Sequence, residues 1–130
     1  MIRVLSEQQC YDLLTATTVG RIGFVRDGVV EILLMNFAVS GRDLILRADA
    51  DAAVSALADD GATVAFEVDH IDSLARAAWS VLMSGPLTHA TAEEAAALTP
   101  RVSPWAGGAR DAPLRFRITR MTGRSVQYKS

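Results

Sequence analysis

Apolar and polar positions alternate most strictly between Thr63 and Leu87, and this stretch reads as two β-strands joined by an acidic excursion. In the first strand Val64, Phe66 and Val68 share one face, and Ala65, Glu67 and Asp69 share the other. The second, Trp79 to Ser84, sets Trp79, Val81 and Met83 against Ser80, Leu82 and Ser84, and Gly85-Pro86 is expected to end it. Such a strand is expected to be buried on both faces, as in a closed barrel with a helix outside or a barrel wall that doubles as a subunit interface.

Taken in order, the chain opens with Ser6 and Gln9, an S-x-x-Q capping box, so a helix is predicted from about Glu7 to Thr15, with Leu5 stapled onto Cys10. Three strands of a meander follow, Thr18–Val25, Val30–Val39 and Leu44–Arg47, separated by the turn signals Arg26-Asp27-Gly28 and Gly41-Arg42-Asp43. Gly20 and Gly23 inside the first of these mark a bulge, a barrel corner or a close approach by another group. The middle strand is apolar almost throughout except at Asn36, which suggests that both its faces are covered. That amide either satisfies backbone groups at a bulge or hydrogen-bonds a bound heterocycle.

Asp49 is placed to cap an alanine-rich helix ending at Gly61, and Thr91 with Glu94 forms a second capping box before a helix that Pro100 closes. Val102 to Pro113 reads as a surface loop whose one large apolar group is Trp105, and a last strand pair is predicted around Thr122-Gly123. The sum is a single α+β domain spanning 1–130, mainly β: an antiparallel barrel of about six or seven strands with three short flanking helices.

Composition narrows the function classes. The chain of 130 residues carries a net charge of −2, which argues against a nucleic-acid binder, and half of it is hydrophobic without a run long enough to span a membrane. The start meets polar residues at once, so no signal peptide is read and a soluble, cytoplasmic protein is expected. Charge is uneven: residues 101–130 hold seven basic groups against Asp111 alone, so the basic tail is expected to face the acidic body, a partner or an anion. Arg115 and Arg117 share a strand face there.

Side-chain chemistry is sparse. Cys10, at helical spacing beside Leu13 and Leu14, reads as a small core filler. His70 and His89 lack ligand spacing, so no metal site is expected. Glu67, Asp69 and Asp72 read as a solvated acidic cluster rather than an acid–base pair, and no phosphate-loop, dinucleotide or nucleophile-elbow motif is present.

The succession LSEQQCYDLL at 5–14, VGRIGF at 19–24, NFAV at 36–39, VAFEVD at 64–69, AWSVLMSG at 78–85 and MTGR at 121–124 resembles the pyridoxamine 5'-phosphate oxidase-like proteins with a flavin-binding split β-barrel. The resemblance implies a homodimer with two equivalent flavin clefts at its interface, each built from both subunits. It implies that the ring system lies along Leu34, Met35, Asn36 and Phe37 and that the phosphate sits at Arg47 and Ala48, with Trp79 and Ser80 on the interface strand. FMN is the implied cofactor, with deazaflavin F420 as the alternative. The implied function is a flavin-dependent oxidoreductase. The alternative is a non-catalytic flavin or deazaflavin module, or a member that has lost tight FMN binding. Flavin-binding relatives follow the phosphate strand with a Ser-Lys pair, whereas this chain reads Asp49-Ala50-Asp51-Ala52-Ala53. Two carboxylates and no lysine predict weak FMN binding, or preference for a ligand without a terminal phosphate there.

Overall fold

The structure, a computed structural model, describes residues 1–48, 52–96 and 112–128. In chain order it has β1 (Ile2–Val4), α1 (Glu7–Leu14), β2 (Val19–Arg26), β3 (Val29–Ser40), β4 (Asp43–Ala48), α2 (Ala52–Asp60), β5 (Thr63–Asp72), β6 (Ala77–His89), α3 (Ala92–Ala96), β7 (Ala112–Phe116) and β8 (Arg120–Gln127). Hydrogen-bonded neighbours run β1-β8-β6-β5-β2-β3-β4-β7, and β7 pairs again with β6. Six antiparallel strands therefore close a barrel, and β8 and β1 extend the sheet beyond it. The predicted barrel stands. The described strands number eight because Ile2–Val4, too short and too exposed to show alternation, joins the edge of β8.

Short turns fix the register. Asp27 and Gly28 both adopt positive φ, 51° and 78°, as a two-residue type I′ hairpin requires, and Arg26 consequently faces Val29. Gly41 at φ 63° starts the next two-residue turn, which pairs Ser40 with Asp43. The capping box of α1 forms as read, with Gln9 N–H donating to Ser6 Oγ at 3.1 Å and Ser6 N–H to Gln9 Oε1 at 2.8 Å. Thr91 and Glu94 do the same ahead of α3. The expected cap at Asp49, the stop at Pro100 and the loop tryptophan Trp105 lie outside the described residues.

The core fills the barrel. Phe66 on β5 is its centre, edge-on to Phe37 at 5.5 Å and tilted against Phe116 at 6.0 Å, so one ring ties three strands together. Ile22, Leu46, Val68 and Met83 point inward around it, and Leu14, Val54 and Ala58 bring both longer helices onto the same cluster. Gly20 is a close-approach glycine, since a Cβ there would meet the Phe66 ring at 2.5 Å and Glu67 O at 2.8 Å. No described helix is long and apolar enough to cross a membrane.

Two expectations are corrected. The second strand of the central hairpin does not end at Gly85-Pro86; β6 runs on to His89 and changes partner there. Residues Ala77–Ser84 pair with β8 and Leu87–His89 with β7. Pro86 is tolerated because its missing N–H falls where β8 has left and β7 has yet to pair, while its carbonyl accepts from Arg117 N–H at 3.1 Å. Likewise, Thr122-Gly123 is not a turn but the middle of β8, and β7 and β8 pair with β6 rather than with each other. Gly123 is there for room, because a Cβ would lie 2.4 Å from Cys10 Sγ. Within one chain the outer faces of β3 and β6 are left largely open, except at Ala38, which is buried against Ile45. Ile32, Leu34 and Leu82 are 65%, 59% and 52% exposed, as a barrel wall must be when its interior hides one face alone.

Candidate functional site

The outer wall of β3 places Asn36 between two partners in register, Val19 on β2 and Arg47 on β4. Leu34 stands one step along the same face, opposite Arg21. Met35 and Phe37 alternate to the inside and are buried in the core, so only their backbone faces outward. Asn36 is half-buried and its amide donates weakly to Thr18 O at 3.4 Å, an acceptor already taken by Phe37 N–H at 2.9 Å. Arg47 pairs with Pro113 and Ala48 with Ala112. Asp49, Ala50 and Asp51 lie outside the described residues.

Trp79 and Ser80 sit elsewhere. Between β3 and β6 come β2 and β5 on one side and β4 and β7 on the other, so within one chain the two sets of expected residues lie on opposite walls of the barrel. Trp79 shares the inward face of β6 with Val81 and Met83 and packs against the core. Around Ser80 the outer wall of β5, β6 and β8 forms an open groove of about 310 Å³, lined also by Glu67, Asp69, Ile71, Ala78, Arg124, Val126 and part of Trp79. Its floor follows from register: Asp69, Ser80 and Arg124 form one row, and Ile71, Ala78 and Val126 the next.

Arg21 binds both carboxylates beside this groove, Asp69 at 2.7 Å and Glu67 at 3.1 Å. Burial, reinforced by Asp69, pushes the Glu67 carboxyl up despite the arginine, and Asp69 first, with Glu67, holds the Arg21 guanidinium above its usual range. The acidic cluster read from sequence therefore divides. Glu67 and Asp69 belong to an ion-paired triad, while Asp72 accepts from Ala75 N–H at 3.0 Å in the hairpin turn. Sequence alternation put Arg21 on the right face, but nothing in it sets β2 beside β5.

Several of the other polar groups singled out from the sequence have structural partners. Arg115 is set against the acidic body, binding Asp43 at 2.6 Å and pairing with Glu94, whereas Arg117 is exposed. The Thr91 N–H and Arg115 hold the Glu94 carboxyl low. His89 meets Asp59 at 2.5 Å, tying β6 to α2, and His70 is exposed opposite Trp79. Burial pushes the Cys10 thiol up, which suits a core filler and not a nucleophile.

A closed six-stranded antiparallel barrel carrying two added strands defines a split-barrel protein. Residues 6–125 match the family model described as pyridoxamine 5'-phosphate oxidase, and the chain belongs to that family. It is 31% identical over 124 residues to the uncharacterized protein Rv0080 of Mycobacterium tuberculosis, covering 92% of this chain and 82% of the relative. Among solved structures it is similar to the FAD binding protein from Mycobacterium smegmatis, with a TM-score of 0.74, 28% identity, and 98% and 100% of the two chains covered. A FAD-binding protein from Mesorhizobium loti has the same fold, with a TM-score of 0.82 at 21% identity and 98% of each chain covered.

Proposed function

We propose that two copies of this chain meet across their outer walls and hold a flavin nucleotide in the clefts between them, as a flavin-dependent oxidoreductase. The observation that carries the reading is the separation within one chain of Leu34, Asn36 and Arg47 from the outward-facing Ser80, which a second copy can bring together. The exposed side chains of Val30, Ile32, Leu34 and Leu82 support it, since a wall apolar on both faces fits a subunit contact. The wall also suits the cofactor: Leu34 offers an apolar bed for a ring, Asn36 an amide for its polar edge, and Arg47 a guanidinium on the neighbouring strand for phosphate oxygens. A bound flavin supplies the electron transfer; the chain's own residues bind and orient it.

The ligand we favour is FAD. The solved structure at 28% identity is that of a FAD binding protein. In this chain Asp49 and Asp51 follow the strand of Arg47 without a lysine, which disfavours a terminal phosphomonoester of roughly −1.5 to −2 charges. A diphosphate diester carries a comparable total charge but divides it between two phosphates, so less of it stands beside the two carboxylates. Titrating FAD, FMN and riboflavin into the purified protein tests this by absorbance and flavin fluorescence. FAD is expected to bind tightest, with little preference between FMN and riboflavin. A hundredfold preference for FMN over riboflavin, about 2.7 kcal/mol, would overturn the reading of the loop. Sedimentation is expected to give a dimer that Ile32→Asp dissociates; a folded monomer at micromolar concentration for the parent would sink the shared cleft. Bleaching by a nicotinamide donor and reoxidation by an acceptor distinguish an enzyme from a carrier.

A further inference from the structure

We propose that the groove across β5, β6 and β8 binds a small singly charged organic acid, its carboxylate on Arg124 and Ser80 and its apolar body over Ala78 and Val126. If two copies close the flavin cleft as proposed above, this groove is the wall the second copy turns toward the cofactor. It is nonetheless built within one chain, and the proposal needs only that chain.

The unused hydrogen-bonding groups give the character of the ligand. Of the ionic groups at the groove, Glu67 and Asp69 are both held by Arg21, whose single charge offsets one of the two. Arg124 is exposed, and among the described residues no carboxylate pairs with it and no group bonds the Ser80 hydroxyl. The unspent groups are thus donors. Ser80 and Arg124 are direct register partners, with Cβ atoms about 4.5–5.5 Å apart, so one carboxylate can accept from the hydroxyl through one oxygen and from the guanidinium through the other.

The same row limits the ligand's charge. Asp69 is the register partner of Ser80 on its other side, and Glu67 stands two residues before it. A second negative charge would face two carboxylates with one unpaired arginine, so a monoanion fits and a phosphate dianion does not. Ile71, Ala78 and Val126 make the next row apolar. A volume of about 310 Å³ lies at the small end of ligand sites, which restricts the body to roughly one ring or a short chain.

Calorimetric titration of flavin-free protein with benzoate, benzamide and phenyl phosphate tests this. Benzoate is expected to bind at millimolar concentration or below, with benzamide and phenyl phosphate each about tenfold weaker or more. Arg124→Gln is expected to abolish the preference for benzoate over benzamide while leaving the melting temperature unchanged, and Arg124→Lys to retain it. Asp69→Asn is expected to strengthen phenyl phosphate binding. Absence of benzoate binding, benzoate affinity indifferent to Arg124→Gln, or tighter binding of phenyl phosphate than of benzoate would each overturn the proposal. Because no flavin is present, failure here leaves the flavin reading standing, and failure of that reading leaves this one.

Discussion

Replacing Gly85 by alanine strikes the point where β6 passes from β8 to β7. A Cβ at this position would lie 1.7 Å from Arg117 O and 2.9 Å from its carbonyl carbon. Ordinary contact between heavy atoms is roughly 3.5 Å, so the link between β7 and β8 would have to retreat by about 1.5–2 Å. Backbone, not a flexible side-chain tip, stands in the way. The retreat removes Arg117 N–H to Pro86 O at 3.1 Å and Thr119 N–H to Ser84 O at 2.9 Å. Two such bonds contribute about 0.5–1.5 kcal/mol each and overpacking costs about 1–3 kcal/mol, so the loss is about 2–6 kcal/mol. At an m-value near 2 kcal/mol/M, the urea midpoint should fall by about 1–3 M. Gly23→Ala is the control, since its Cβ meets only Ala65 Cβ at 3.8 Å. Urea unfolding followed by far-UV circular dichroism reads both. A Gly85→Ala midpoint within about 0.3 M of the parent, at unchanged slope, would refute the steric reasoning.

Two further perturbations test the core and the outer wall. Phe66→Ala removes the ring that touches Phe37 and Phe116 and is expected to cost about 3–5 kcal/mol by the same unfolding assay; a loss under 1 kcal/mol would mean that the core does not centre there. Burial and Asp69 raise the Glu67 carboxyl in the folded chain, so its contribution is whole below the unfolded value and lost as pH rises through the folded one. Glu67→Gln, fixed in the neutral form, should therefore melt with the parent at acid pH and above it at neutral pH. A difference that does not change with pH would contradict that sign.

Local signals in the sequence carried much of the fold, because they act over a few residues. The capping boxes at Ser6 and Thr91, the Asp27-Gly28 turn and the alternation of Val64, Phe66 and Val68 each report a neighbour's geometry directly. Glycines misled where their reason lay far along the chain. Gly85 makes room for Arg117 and Gly123 for Cys10, and neither partner is visible locally, so one was read as a strand end and the other as a turn. The candidate site shows the same division. Period-two alternation sends Leu34 and Asn36 outward and Met35 and Phe37 inward, yet the neighbours of Ser80 follow from register across three strands. Arg124 was legible only as part of a basic tail; its place beside Ser80 needed the sheet order.

The pairing of β1 with β8 sets an order on synthesis. Met1 N donates to Gln127 O at 2.9 Å across 126 positions, and at about 5–20 residues per second that partner emerges roughly 6–25 s after it. Through that interval β1 has no edge to join, and α1 lacks the Gly123 surface against which Cys10 packs. The first half of β6 is meanwhile an open edge with Leu82 exposed. A nascent chain halted before Arg120 would thus present an unpaired strand and a loose amphipathic helix together, the features by which quality-control proteases and sticky neighbours find unfinished proteins.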